Sequence, residues 1–134
     1  MQHNCVLIDE NYRCFDCLHL IKLHLPKQYC QPLVLYRGDE YYSQHTLRLF
    51  LEKTQLPVIA MMDIDPEGLL IACSFKNVIG LMCGSLPEFE IFLEHKGSAM
   101  LYAKQLPGCQ QALNKNDEPV VKLLWALLRK YQKA

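Results

Sequence analysis

The sequence predicts an α/β fold, a four-stranded parallel sheet flanked by helices, followed by a helical C-terminal extension. Three observations lead there. Short apolar runs, each closed by acidic residues or glycine, alternate with segments of helical periodicity through Gly97. The run Val58–Met62 is apolar at consecutive positions, as a strand buried on both faces must be. After Gly97 the strand signals stop and only helical spacing remains. Strands alternating with helices pair in parallel through right-handed crossovers. Residues 1–97 therefore read as the α/β core and 98–134 as a helical extension of the same domain.

Cys5-Val-Leu-Ile is the first strand, closed by Asp9-Glu10-Asn11. Phe15, Leu18, Ile21 and Leu25 recur at helical spacing, and Pro26 stops that helix. Leu33–Tyr36 is the second strand, followed by the turn Arg37-Gly38-Asp39, where Gly38 supplies a positive φ. Leu47, Phe50, Leu51 and Thr54 form one face of the next helix, which ends before Pro57. Val58–Met62 is strand three. Asp65 caps a helix running to about Phe75, Pro66 takes its first position, and Glu67 favours the positive end of its dipole. Val78–Cys83 is strand four, and Gly84-Ser85 leads into a helix from Pro87 to about His95.

In the extension, Ser98–Leu106 reads as a helix broken at Pro107-Gly108, with a short helical piece at Gln110–Leu113. The last helix starts at Asp117-Glu118-Pro119 and runs to about Gln132. Val120, Val121, Leu124, Leu127, Leu128 and Tyr131 make its apolar stripe, widened by Leu123 and Trp125. That stripe suits either the core or a partner.

A chain of 134 residues with a 51% hydrophobic share can bury one core, which excludes a disordered tail. No apolar run is long enough to span a bilayer, and His3, Asp9 and Glu10 exclude a signal peptide at the N-terminus. Seven cysteines, an odd number without framework spacing, suit free thiols in a reducing cytoplasm. Cys14 and Cys17 form a single pair without a second, so buried thiols outrank zinc there. Fourteen basic residues balance fourteen acidic ones, whereas a module that grips nucleic acid alone carries a basic excess. Any DNA is then held mainly by another domain or subunit, and the residues that would touch it are not legible.

The acids carry the chemistry. Asp63 and Asp65 fall where strand three stops, and at i and i+2 of an extended chain they point to one side. Like charges held together repel, so a fold that keeps them supplies a cation or a shared proton. In a sheet of order 2-1-3-4 the topological switch lies between strands one and three, where open α/β folds bind ligands. Glu10 ends strand one there. Three carboxylates suit Mg²⁺ at about 2.0–2.1 Å, with the remaining positions held by water or a substrate phosphate. The plainer reading makes Asp63 and Asp65 a turn and a helix cap, and Glu10 a surface acid.

A glutamate closing strand one (Glu10), a glycine after strand two (Gly38) and Asp-x-Asp closing strand three (Asp63, Asp65) together resemble the Toprim pattern. Within that family, Ile8-Asp9-Glu10-Asn11 with Phe15 is similar to a segment of the Toprim subunit of the Wadjet plasmid-defence system. So is Asp63-Ile-Asp-Pro-Glu-Gly-Leu-Leu-Ile-Ala72. The A subunits of type IIB topoisomerases carry a similar Asp-x-Asp-Pro. The resemblance covers about residues 5–83. It departs at Arg37-Gly38-Asp39, where relatives are richer in glycine, and at Met62, where they often have glycine.

The resemblance implies a Toprim-type four-stranded sheet and Mg²⁺-dependent phosphodiester chemistry on DNA, nuclease or topoisomerase-like, with Mn²⁺ as a plausible substitute. Asp63 and Asp65 would be direct metal ligands, and Glu10 a third ligand or the proton acceptor. Glu67 would bind a second ion or serve the dipole alone, and Gly38 and Gly68 would shape turns. Relatives place a winged-helix portion before the Toprim domain, so the resemblance implies the C-terminal part of a larger DNA-processing protein. A homodimer or larger complex would fit such a role. Two rivals stand beside it: a non-catalytic Toprim-fold assembly domain, and a receiver-like phosphoacceptor domain. The second lacks a lysine at Cys83-Gly84-Ser85.

Overall fold

The computed structural model describes residues 2–10, 25, 27–38, 44–75, 78–81 and 86–134. The expected first helix, Cys14, Cys17 and the end of the fourth strand at 82–83 lie outside these residues. Two compact units form: Met1–Met62 with Phe75–Met82, and Asp63–Ser74 with Cys83–Ala134.

The first unit is built on parallel strands β1 (Cys5–Asp9), β2 (Pro32–Tyr36), β3 (Val58–Met61) and β4 (Val78–Leu81), in the order β2-β1-β3-β4. The α/β class and the parallel pairing match the sequence reading. β1 pairs with β2 from Cys5↔Pro32 to Asp9↔Tyr36, and with β3 from Val6↔Val58 to Asp9↔Met61. β4 joins less regularly. Val58 faces Val78 but Ile59 faces Gly80, so the register shifts by one residue.

All five residues of β1 are buried, as a central strand requires, and its last residue is an acid, Asp9. Cys5, Leu7 and Ile59 pack on one face with Leu25, Tyr29, Val34 and Met61 against them. Helix α1 (Gln44–Lys53) also belongs to this unit. It buries Leu47 and Leu51 but leaves Phe50 exposed, so its inward face is narrower than expected. Arg48 lies over the Phe75 ring at 5.0 Å, a cation–π contact.

The second unit is helical: α2 (Pro66–Cys73), α3 (Leu86–Lys96), α4 (Ala99–Asn114) and α5 (Pro119–Tyr131). Among the described residues no helix is long and apolar enough to cross a membrane. The expected break at Pro107 does not occur, because α4 continues through it. Proline removes one helical hydrogen bond and crowds the carbonyl four residues back. Here Pro107 and Ala103 are both exposed, so water can reach the released carbonyl. Tyr102, Gln105, Cys109 and Leu113 form a buried stripe on both sides of the proline, and that burial carries the helix through.

Helix α5 buries Val121, Leu124, Trp125 and Leu128, which places Trp125 in the core, whereas Leu123 is exposed. The Trp125 indole N–H donates to Asn114 Oδ1 at 2.8 Å, and its ring stacks on Tyr102 with centroids 6.2 Å apart. At the surface, Lys130 Nζ and the Tyr131 hydroxyl both donate to Glu90 Oε1, at 2.9 and 2.7 Å, tying α5 to α3. Ser98 and Ala134 exchange two backbone hydrogen bonds. The described cysteines Cys5, Cys30, Cys73 and Cys109 are free thiols, in line with the sequence reading.

Candidate functional site

The turn between β3 and α2 is shaped by Asp65. Its backbone is extended, and its side-chain Oδ1 accepts the Gly68 N–H at 2.7 Å, an N-cap with Pro66 at the first helical position. The four leading N–H groups of a helix have no partner within it. Asp65 takes one of them. Glu67 N–H goes to Gln105 Oε1 at 3.0 Å, reaching across to α4.

Gly68 was expected to shape a turn, yet it lies in the first turn of α2 and shows no positive φ. Space is the reason for it. A Cβ at Gly68 would stand 1.9 Å from the Asp63 carbonyl oxygen and 3.1 Å from Asp65 Oδ1. The missing side chain therefore lets the helix start close against the backbone that carries Asp63. Gly68→Ala must push that backbone aside and is expected to cost about 1–3 kcal/mol. Gly108→Ala is the control. A Cβ there meets nothing within 4 Å, so helix propensity should make that variant more stable by up to about 1 kcal/mol. Urea unfolding of both variants checks the contrast.

Three carboxylates crowd this turn. Burial pushes the Asp65 carboxyl above its usual range. The Gly68 hydrogen bond opposes that shift, as does the nearby Gln105 amide, and the negative charges of Asp63 and Glu67 add to it. Asp63 and Glu67 are exposed and Asp65 is half-buried. Burial also raises the Cys109 thiol, with the Glu67 and Asp65 charges contributing. The sequence pattern at 63–68 thus becomes one local, negatively charged turn.

Glu10 and Gly38 belong to the other unit. Glu10 follows β1, half-buried, and its N–H donates to the Met61 carbonyl at 3.1 Å, extending the ladder one step beyond Asp9. Gly38 has φ 95°, the positive value expected of it, and the neighbouring Arg37 N–H donates to the Asp9 carbonyl at 2.8 Å. Met62 is buried.

Among the described residues, no group of three or more His, Cys, Asp or Glu side chains is arranged to hold a metal ion. The donor set at the turn nevertheless fits a hard cation. Mg²⁺ is usually held by one or two carboxylates, with water and substrate phosphates completing its octahedron, and not by an all-protein cage. Two residues escaped the sequence reading, Asp9 and Gln105. Both are polar and buried, and burial of that kind depends on tertiary partners that spacing does not reveal.

An α/β domain whose third strand leads into an acidic, glycine-tightened helix start is thus the class that fold and site define. The whole chain, residues 1–134, matches the family described as Domain of unknown function (DUF7281), and the protein belongs to that family. No curated protein and no solved structure matches it.

Proposed function

We propose that this chain is a Toprim-type module for Mg²⁺-dependent phosphodiester chemistry on DNA, of the nuclease or topoisomerase kind, working within a larger DNA-processing assembly. The crowding of Asp63, Asp65 and Glu67 in a turn fixed by Gly68 is the observation that carries this reading. Holding like charges together costs free energy, and a divalent cation offsets it. The strand order β2-β1-β3-β4 supports it further, since its switch point lies between β1 and β3.

Asp63 and Asp65 are the proposed ligands. Oδ1 of Asp65 is engaged by Gly68, so Oδ2 is the proposed donor to the cation. Glu10, which follows β1, is proposed to serve the same reaction, as the Toprim resemblance implies. Glu67, exposed at the start of α2, suits the helix dipole and a second ion equally. When bound, Mg²⁺ would neutralise the scissile phosphate and stabilise charge on the leaving oxygen. The nucleophile is water in a nuclease, or a tyrosine from another domain in a strand-passing enzyme. With formal charge balanced, the chain leaves most of the grip on DNA to that other domain or subunit.

Thermal unfolding tests the metal. Mg²⁺ or Mn²⁺ at 100 times its Kd should stabilise the fold by about 2.7 kcal/mol, and Ca²⁺-free, Mg²⁺-free buffer should remove the gain. A melting temperature that ignores both ions would leave the assembly-domain reading in its place.

A further inference from the structure

Helix α3 turns an apolar pair outward. Leu93 is buried and Glu90 is tied to α5, which sets the inward side of the helix. Glu88, Ile91, Phe92 and His95, at i, i+3, i+4 and i+7, make the opposite stripe, and all four are exposed. Ile91 is 59% exposed and Phe92 54%. Single exposed apolar side chains are ordinary, but two large ones side by side mark a surface that gains from being covered.

The charges around the pair indicate what covers it. Glu88 precedes it in the first turn of α3, and His95 follows it in the last, with Lys96 alongside. That placement suits the helix dipole, which accounts for the charges but not for the apolar residues between them. A two-fold axis crossing α3 between Ile91 and Phe92 lays the helix antiparallel on its own copy. Residue i then meets residue j, and j meets i. Ile91 of each copy meets Phe92 of the other, and Glu88 of each meets His95 of the other, at both ends of the contact. Helix α1 provides the contrast. It exposes Leu49 and Phe50 in the same way, but the matching positions hold Thr46 and Lys53, which carry no opposite charges.

We propose that α3 is a self-association surface, on which a second copy of this chain packs antiparallel over Ile91 and Phe92. The apolar pair supplies the affinity. The Glu88–His95 pairs select the direction, because parallel packing would bring like charges together. The stripe spans only about two helical turns, so the contact is small and the dimer is weak and concentration-dependent. This inference goes beyond the function proposed above and holds whether or not the turn at 63–67 binds a metal.

Sedimentation equilibrium of the full chain across the micromolar range tests it. Wild type should pass from monomer to dimer as its concentration rises. Phe92→Asp should raise the dimer Kd by about 30-fold or more, the scale of losing an interface hot spot. Glu88→Lys should weaken the dimer, and Glu88→Lys combined with His95→Glu should restore it, since the swap keeps opposite charges facing. Circular dichroism checks that each variant is folded; should Glu88→Lys unfold α3, His95→Glu alone carries the same expectation of weakening. A chain that stays monomeric throughout overturns the proposal and leaves the face to a different protein. A dimer that Phe92→Asp leaves intact overturns it as well. A dimer that Phe92→Asp breaks, but that the charge swap does not restore, overturns the antiparallel pairing.

Discussion

Replacing Asp63 by Asn is expected to lower Mg²⁺-dependent cleavage of DNA by at least about 100-fold, the scale of losing a principal electrostatic contact in a reacting site. The fold should survive. Asp63 is exposed, and its charge raises the Asp65 carboxyl, so the neutral amide relieves repulsion in the turn. The metal-free melting temperature should therefore move by no more than a few degrees, and the metal-linked gain in melting temperature should vanish. Glu10→Gln should lose activity comparably, since the carboxylate disappears while the Glu10 N–H bond to Met61 is kept. A plasmid-nicking assay reads both variants. Undiminished cutting by both would place the chemistry elsewhere.

Trp125→Ala should have the largest effect on stability. Trp125 is 2% exposed, stacks on Tyr102, donates to Asn114 and carries the Arg129 guanidinium 5.5 Å above its ring. Truncating such a side chain costs about 3–5 kcal/mol, through lost burial and the cavity left behind. That is a large share of the roughly 5–15 kcal/mol holding a typical domain folded. The melting temperature should fall by about 10–20 °C. Asn114→Ala removes only the indole's acceptor and should cost about 1 kcal/mol. Calorimetry of the two variants checks the ratio. Similar losses for both would mean that the hydrogen bond, and not the packed ring, holds α5 to α4.

Much of the fold was legible because its signals are local. β1, β2 and β3 are short apolar runs with polar stops, and the start of α2 is written in Asp65, Pro66 and Glu67. Where the sequence misled, tertiary packing had the deciding weight. Pro107 reads as a break, yet the buried stripe from Tyr102 to Leu113 continues past it. Phe50 belongs to the apolar face that the spacing gives, yet it is exposed while Leu47 and Leu51 take the inward positions of that helix. Trp125 itself suited a core and a partner equally well until Asn114 and Tyr102 were seen against it.

The candidate site divides along the same line. Asp-x-Asp at 63 and 65 and the glycine at 68 stand out from their spacing alone. That Gly68 serves by its lack of a side chain became visible only with the Asp63 carbonyl beside it. Gln105 escaped because α4 carries several polar residues and tertiary packing decides which of them faces inward. An unexpected glutamine on an otherwise apolar stripe, at spacing 102, 105, 109 and 113, was the one signal present.

An anomalous-difference map from a crystal of this protein soaked in Mn²⁺ decides whether the turn at 63–65 holds a cation. One ordered peak at about 2.1 Å from carboxylate oxygens of Asp63 and Asp65 is expected, with water completing the contacts. A map with no peak at that turn, or with Mn²⁺ bound only to acids elsewhere on the chain, would contradict it.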